Sequence, residues 1–191
     1  MMPPAFSILL ISDSHGQRRA LNAALRWAVG AAPAIDAAVF LGDGADDLAE
    51  ASSGTGFSAP WYKVRGNGDL DFSIPDTVTL TVPGGSSGTR RFFLTHGNRY
   101  RVDGNFQAIT AAARNAGAEA AFFGHTHVPY WGQYRGIRLL NPGSIGRPRN
   151  MAGPSFAVLS CPAAGPLSVR FHGLVSRGQD LEVTPGSDTG K

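Results

Sequence analysis

An α/β fold with parallel central strands is the class this sequence predicts, on three observations. Short apolar runs alternate with amphipathic helical stretches through the first third of the chain, which is the pattern of βα repeats. Most of these runs end on a glycine with an aspartate, asparagine or histidine close by. The chain of 191 residues is long enough for one well-buried core, and no internal repeat or long linker divides it.

Residues 6–11 form a continuous apolar strand that runs into Ser12-Asp13-Ser14-His15-Gly16. A helix is expected over 18–29, with Leu21, Ala24, Leu25 and Ala28 on one face and Gly30 as its stop. Residues 37–41 read as a second buried strand that ends at Gly42-Asp43. A short helix over 45–51 places Asp46 and Asp47 at its positive N-terminal end. Residues 52–59 are a glycine- and serine-rich loop, and 61–64 a third strand that delivers Arg65-Gly66-Asn67-Gly68-Asp69.

The pattern then changes. Residues 77–82 alternate with period two, as a half-exposed strand would. Residues 90–94 return into Thr95-His96-Gly97, which completes an antiparallel hairpin. A second amphipathic helix spans 105–116 and closes at Gly117. Residues 120–123 are too short for a helix and read as a buried strand that ends at Gly124-His125-Thr126-His127. Strands over 130–134 and 137–140 form another hairpin around Arg135-Gly136. Asn141-Pro142-Gly143-Ser144 follows, and late strands lie over 155–160 and 167–174. One domain is expected over 1–178, with 179–191 as a flexible C-terminal tail.

Composition narrows the class. A hydrophobic content of 42% with 16% charged residues is ordinary for a soluble globular protein. No apolar run is long enough to span a bilayer, and the N-terminus lacks the pattern of a secretory signal. The single Cys161 cannot form an internal disulfide. A cytoplasmic location is therefore expected. The net charge of +3 is a mild excess. Arg18-Arg19, Arg90-Arg91 and Arg147/Arg149 are candidate phosphate contacts, although solvated surface is the plainer reading of each pair.

The strand ends carry the chemistry. Collected in order they hold Asp13 and His15, Asp43, Asn67 and Asp69, His96, and His125 and His127. Sites in open α/β sheets form outside the carboxyl ends of the strands, so these groups should converge. Neutral imidazole is the commonest nitrogen ligand for a first-row metal. The set has too many donors for one tetrahedral zinc and contains no thiolate. It suits two metals roughly 3.5–4 Å apart, the arrangement used for phosphate-ester chemistry. With Asp13 and Asp43 ionised and a hydroxide between the ions, a positive charge remains to attract a phosphodiester.

Asp13-x-His15, Gly42-Asp43, Gly66-Asn67-x-Asp69, Thr95-His96-Gly97 and Gly124-His125-x-His127 resemble the motif series of calcineurin-like metallophosphoesterases. Order and spacing are most similar to the small bacterial and archaeal phosphodiesterases of the YfcE-type branch, of which Asn141-Pro142-Gly143-Ser144 is also typical. The resemblance runs from about residue 8 to 160. It implies a four-layer α/β/β/α sandwich with mixed sheets. It also implies Asp13, His15 and His127 on one metal, Asp43 as the bridge, and Asn67, His96 and His125 on the other. The implied reaction is direct hydrolysis of a phosphodiester by a metal-bridging hydroxide. Asp43, Asn67 and Asp69 would be catalytic residues, Asp69 by bracing the asparagine loop or a ligating histidine. Two divalent ions are the expected cofactors. Manganese is the first expectation, and iron, nickel, cobalt and zinc are compatible with a nitrogen and oxygen shell.

Two positions depart from the family pattern. Gly68 stands where relatives carry histidine or cysteine after the asparagine, and Asn98 where many carry histidine. Both bear on proton transfer and substrate contact, leaving the metal ligands intact. His172 matches no motif and is expected to be structural. Two alternatives come from other classes. A retromer subunit with this fold and a degraded metal site serves as a scaffold, but here every ligand position is filled. A nuclease shares the fold, but this chain shows no aromatic-and-basic stripe that would grip a strand. A small phosphodiester is therefore the expected partner, with nucleic acid and membrane not expected and a homo-oligomer compatible.

Overall fold

The computed structural model describes residues 5–31 and 34–188. Two sheets face each other, with helices on both outer faces. The first sheet contains β1 (Phe6–Ile11), β2 (Ala37–Phe40), β3 (Trp61–Lys63), β9 (Ser155–Cys161), β10 (Ser168–Arg177) and β11 (Asp180–Asp188). Its order is β11-β10-β9-β1-β2-β3. The second contains β4 (Thr77–Pro83), β5 (Thr89–Thr95), β6 (Ala120–Phe122), β7 (Pro129–Tyr134) and β8 (Ile137–Pro142), in the order β4-β5-β6-β8-β7. Within the first sheet β1, β2 and β3 run parallel, as the βα repeats predict. In the second, β5, β6 and β8 run parallel, and each flanking strand is antiparallel to its neighbour. Both sheets are therefore mixed.

Strand alternation explains the layers. In β1, Ile8 and Leu10 point between the sheets, where they meet Val39, Leu80, Phe92, Leu94, Phe122 and Leu140. Leu9 and Ile11 point the other way, onto helices α1 (Arg18–Val29) and α2 (Ala45–Thr55). A strand buried on both faces reads as a continuous apolar run, and β1 is such a strand. Helix α1 covers this face with Leu21, Ala24, Leu25 and Ala28, as its spacing predicts. Helix α3 (Gln107–Asn115) covers the outer face of the second sheet, packing Ile109 and Ala113 against Phe93, Ala121, Phe123 and Leu139. The result is the four-layer α/β/β/α sandwich. In β4, Leu80 and Val82 are buried while Thr77, Thr79 and Thr81 are exposed, as the alternation requires.

Two expectations need correction. Helix α2 continues past residue 51 to Thr55, because its stop is Gly56, whose φ of 74° supplies the left-handed turn that ends a helix. The expected tail from 179 instead turns at Gly178 and returns as β11, paired antiparallel with β10. Alternation of Leu181 and Val183 with polar neighbours let this strand form, and both pack against the helix-side core. Residues 189–191 of the expected tail lie outside the described residues.

Candidate metal centre

The carboxyl ends of β1, β2 and β3 in one sheet meet those of β5 and β6 in the other. Backbone hydrogen bonds tie the loops together. Asp13 N–H donates to Gly42 O (2.9 Å), His15 N–H to Asp43 O (3.1 Å), and Gly124 N–H to His96 O (2.9 Å). Close approach makes glycine necessary at Gly66, where an added Cβ would fall 2.2 Å from Asp43 Oδ1. Gly124 is similar, with a Cβ only 2.0 Å from Ser12 Oγ.

Seven described non-glycine residues have positive φ, and five of them are Asp13 (56°), His15 (45°), Asp43 (57°), His125 (63°) and His127 (60°). Each such residue costs on the order of 1 kcal/mol or more, so the fold must over-determine them. Outliers of this kind cluster at functional sites. The constraints holding these turns are visible. Asp47 accepts from Ser14 Oγ (2.7 Å) and Gly16 N–H (2.7 Å), which fixes the loop around His15. Ser144 donates to Asp13 O (2.8 Å) and accepts from Arg147 N–H (2.7 Å). Asn141 donates to Gly124 O (2.7 Å) and Thr126 Oγ1 (3.0 Å), which fixes the His-x-His turn.

Asp13, His15 and His127 form the first donor group. His127 Nε2 lies 3.2 Å from both Asp13 Oδ1 and His15 Nε2, and His15 Nε2 lies 3.8 Å from Asp13 Oδ1. Ligands about 2.1 Å from one ion stand roughly 3.0–3.4 Å apart, so most of these separations suit a shared ion. Asp13 is fully buried. Its Oδ2 accepts from Ser12 Oγ (2.5 Å) and His125 N–H (3.1 Å), whereas Oδ1 has no hydrogen-bond partner. A buried carboxylate oxygen without a partner is costly, and a cation there would satisfy it. The Asp13 carboxylate raises the affinity of His127 for a proton, with burial opposing. Burial lowers that of His15, against the attraction of Asp13 and Asp43.

Asp43 stands between the two groups. Its Oδ1 accepts from Gly68 N–H (2.6 Å). Its Oδ2 lies 3.7 Å from His15 Nε2 and 3.6 Å from His96 Nε2. His96 is buried, with Nδ1 against Leu41 O (2.7 Å) and Nε2 against Asn67 Oδ1 (3.1 Å). A neutral imidazole carries one N–H and can donate to only one of these oxygens. With the proton on Nδ1, lone pairs of Nε2 and Asn67 face each other, the arrangement two ligands of one cation would take. The donor set, the orphaned Oδ1 and the facing lone pairs all fit divalent metal.

The remaining expected residues fall as follows. His125 packs edge-on to His96, with ring centroids 5.2 Å apart, but its Nε2 lies 3.0 Å from Asp103. Sequence reasoning missed Asp103, which sits seven residues past His96 in an unpatterned turn. Asp69 touches no histidine. Its carboxylate accepts from the N–H groups of Asp43 (2.9 Å), Gly44 (2.7 Å), Ala45 (2.9 Å) and Gly66 (2.8 Å), so it braces the Asp43 loop. Burial pushes this carboxyl up, and the four N–H groups outweigh it, leaving it below the usual range. Arg18 pairs with Asp47 and Glu50, and buried Arg90 with Glu119 (2.9 Å). Arg147 is exposed and turns its carbonyl to His127 Nδ1 (2.6 Å). His172 lies elsewhere, stacked on Phe156 beneath α1.

Comparison with known proteins places this fold and donor set in a family. The profile of the calcineurin-like phosphoesterase superfamily domain matches residues 6–163, and the chain belongs to this family. It is 29% identical over 154 residues to the probable metallophosphoesterase YsnB of Bacillus subtilis, covering 81% of this chain and 83% of that protein. Solved structures share the fold. A predicted phosphoesterase from Streptococcus pneumoniae superposes with a TM-score of 0.71 at 24% identity, covering 96% of this chain and 99% of its own. Zinc-complexed Vps29 from Entamoeba histolytica gives 0.69 at 20%, over 97% and 100%. An archaeal phosphodiesterase gives 0.62 at 18%, over 81% and 93%. The family binds divalent metals, and the described residues include two donor groups that could hold them, Asp13/His15/His127 and Asp13/Asp43/His96. No described helix is long and apolar enough to cross a membrane.

Proposed function

We propose that the protein is a binuclear metal-dependent phosphodiesterase. The observation that carries this reading is Asp43 Oδ2, which lies at nearly equal distance from His15 and His96, one in each donor group. In this reading Asp13, His15 and His127 hold one ion and Asn67, His96 and His125 the other, with Asp43 shared. Bound metals supply an activated water and stabilise charge on the phosphoryl group. The chain's own residues orient them. Gly68 N–H fixes the Asp43 carboxylate, Asp69 fixes the loop that carries Asp43, and the Asn67 amide would help to stabilise charge on a bound phosphate.

A diester fits the surroundings better than a compact monoester. Gly68 sets no side chain against Asp43, where a Cβ would stand 3.2 Å from Oδ1. The loop just beyond exposes Leu70 and Phe72 (83% and 77%), with Arg65 stacked 4.6 Å over the Phe72 ring. An apolar or aromatic ester group has a surface to meet there. The test is a turnover screen of phosphate esters and cyclic nucleotides on protein reconstituted with manganese, iron, nickel, cobalt or zinc. Hydrolysis of aryl diesters that chelation abolishes is the expected result. Metal-loaded protein that cleaves no ester would instead favour an interaction module, as a scaffold of this fold.

A further inference from the structure

We infer that Asp103 is the positioning residue for His125 and that His125 faces its metal through Nδ1, whereas His96 and His127 use Nε2. The metal half of this inference rests on the binuclear reading above; the orientation of the free imidazole does not. A metal-ligating histidine commonly donates its second ring N–H to an oxygen, which sets its tautomer and ring angle. The oxygen partners here are not equivalent. His96 and His127 turn Nδ1 to carbonyl oxygens, Leu41 O at 2.7 Å and Arg147 O at 2.6 Å. Both then present Nε2 to the site, beside Asn67 Oδ1 and Asp13 Oδ1. In His125 the arrangement is reversed. Its Nε2 meets Asp103 Oδ2 at 3.0 Å, so the nitrogen left for coordination is Nδ1.

The turn that carries Asp103 is held in place. Val102 is buried, and its Cγ2 lies 2.8 Å from where a Cβ on Gly97 would stand, directly after His96. Arg101 adopts a left-handed φ of 51° and donates to Asn98 O, and Gly104 N–H returns to Arg101 O. Asp103 itself is 56% exposed. It therefore guides His125 from the solvent side, whereas the other two histidines are fixed by backbone.

Long-range ¹H–¹⁵N NMR of the metal-free protein at alkaline pH, where imidazole is neutral, reads the tautomers directly. His125 is expected as the Nε2–H form, and His96 and His127 as Nδ1–H. Asp103→Ala should mix the tautomers of His125 alone, and Asp103→Asn, whose Oδ1 still accepts, should largely restore them. An Nδ1–H form of His125, or indifference to Asp103→Ala, overturns the inference. Protein loaded with cadmium-113 then counts the ions and shows which nitrogen couples to each. Coupling through His125 Nδ1, with affinity for that ion lowered about 10–100-fold by Asp103→Ala, supports the inference, and coupling through Nε2 refutes it. A single cadmium resonance would refute the binuclear reading, and the metal-free tautomers would still decide the role of Asp103.

Discussion

The two proposed metal positions share the Asp43 carboxylate and a fold position, yet they are built differently. Asp13, His15 and His127 are already drawn together, with donor atoms 3.2–3.8 Å apart and two of the three residues buried. The other proposed position sets a neutral amide, Asn67, beside His96, and its third member, His125, meets an exposed aspartate. In the proposed assignment the first ion has Asp13 besides the shared Asp43, whereas the second has only Asp43. Attraction for a divalent ion grows with ligand charge and with preorganisation, so the two positions should differ in affinity. In the binuclear reading, one ion should be tightly held and the other exchangeable.

The largest effect should come from removing what the groups share. Asp43→Asn should weaken both ions and abolish turnover, and elemental analysis with a rate assay checks this. Near-normal turnover with two metals retained would mean that Asp43 is not the bridge.

The next effect concerns the departing oxygen. General acid catalysis typically supplies ~10²–10⁴-fold, most for poor leaving groups. Gly68 offers no side chain for that role, and Asn98 cannot donate as an imidazolium would. Rates should therefore fall steeply as leaving-group pKa rises, with aryl diesters cleaved much faster than alkyl diesters. A flat series across substituted phenyl esters, with chemistry limiting the rate, would show that an acid is present elsewhere.

Smaller still are the effects on the loops. Gly66→Ala forces a Cβ against Asp43 and should destabilise the protein by about 1–3 kcal/mol in denaturant titration. Gly68→Ala places its Cβ 3.2 Å from the same oxygen and should be tolerated with a slight adjustment. Equal losses for the two would show that the Asp43 loop is more pliant than these contacts imply. Asp69→Asn puts an amide against four N–H donors and should cost about 1–3 kcal/mol, while leaving the metal count unchanged.

The difference between the groups also separates what could be read in the sequence from what could not. Strand ends carrying histidine and aspartate announce themselves, because β1, β2, β3, β5 and β6 are short apolar runs with glycine at or near the turn that follows. Their convergence follows from parallel pairing, so the donors were legible as a set. The residues that hold them were not. Asp47 and Asp103 lie in a helix and a turn with no periodic signature, and their roles depend on contacts 31 and 22 residues away in sequence. Asp69 was visible in its motif, but its four backbone partners appear only once the loops are stacked. The returning strand β11 was hidden because its glycine, proline and serine read as tail.

Titration of the metal-free protein with manganese by calorimetry tests the unequal pair most directly. Two ions per chain should bind in separate steps, the tighter lost in His15→Ala and the weaker in His125→Ala. A single binding step of one ion per chain, with both variants losing that same ion, would contradict the account.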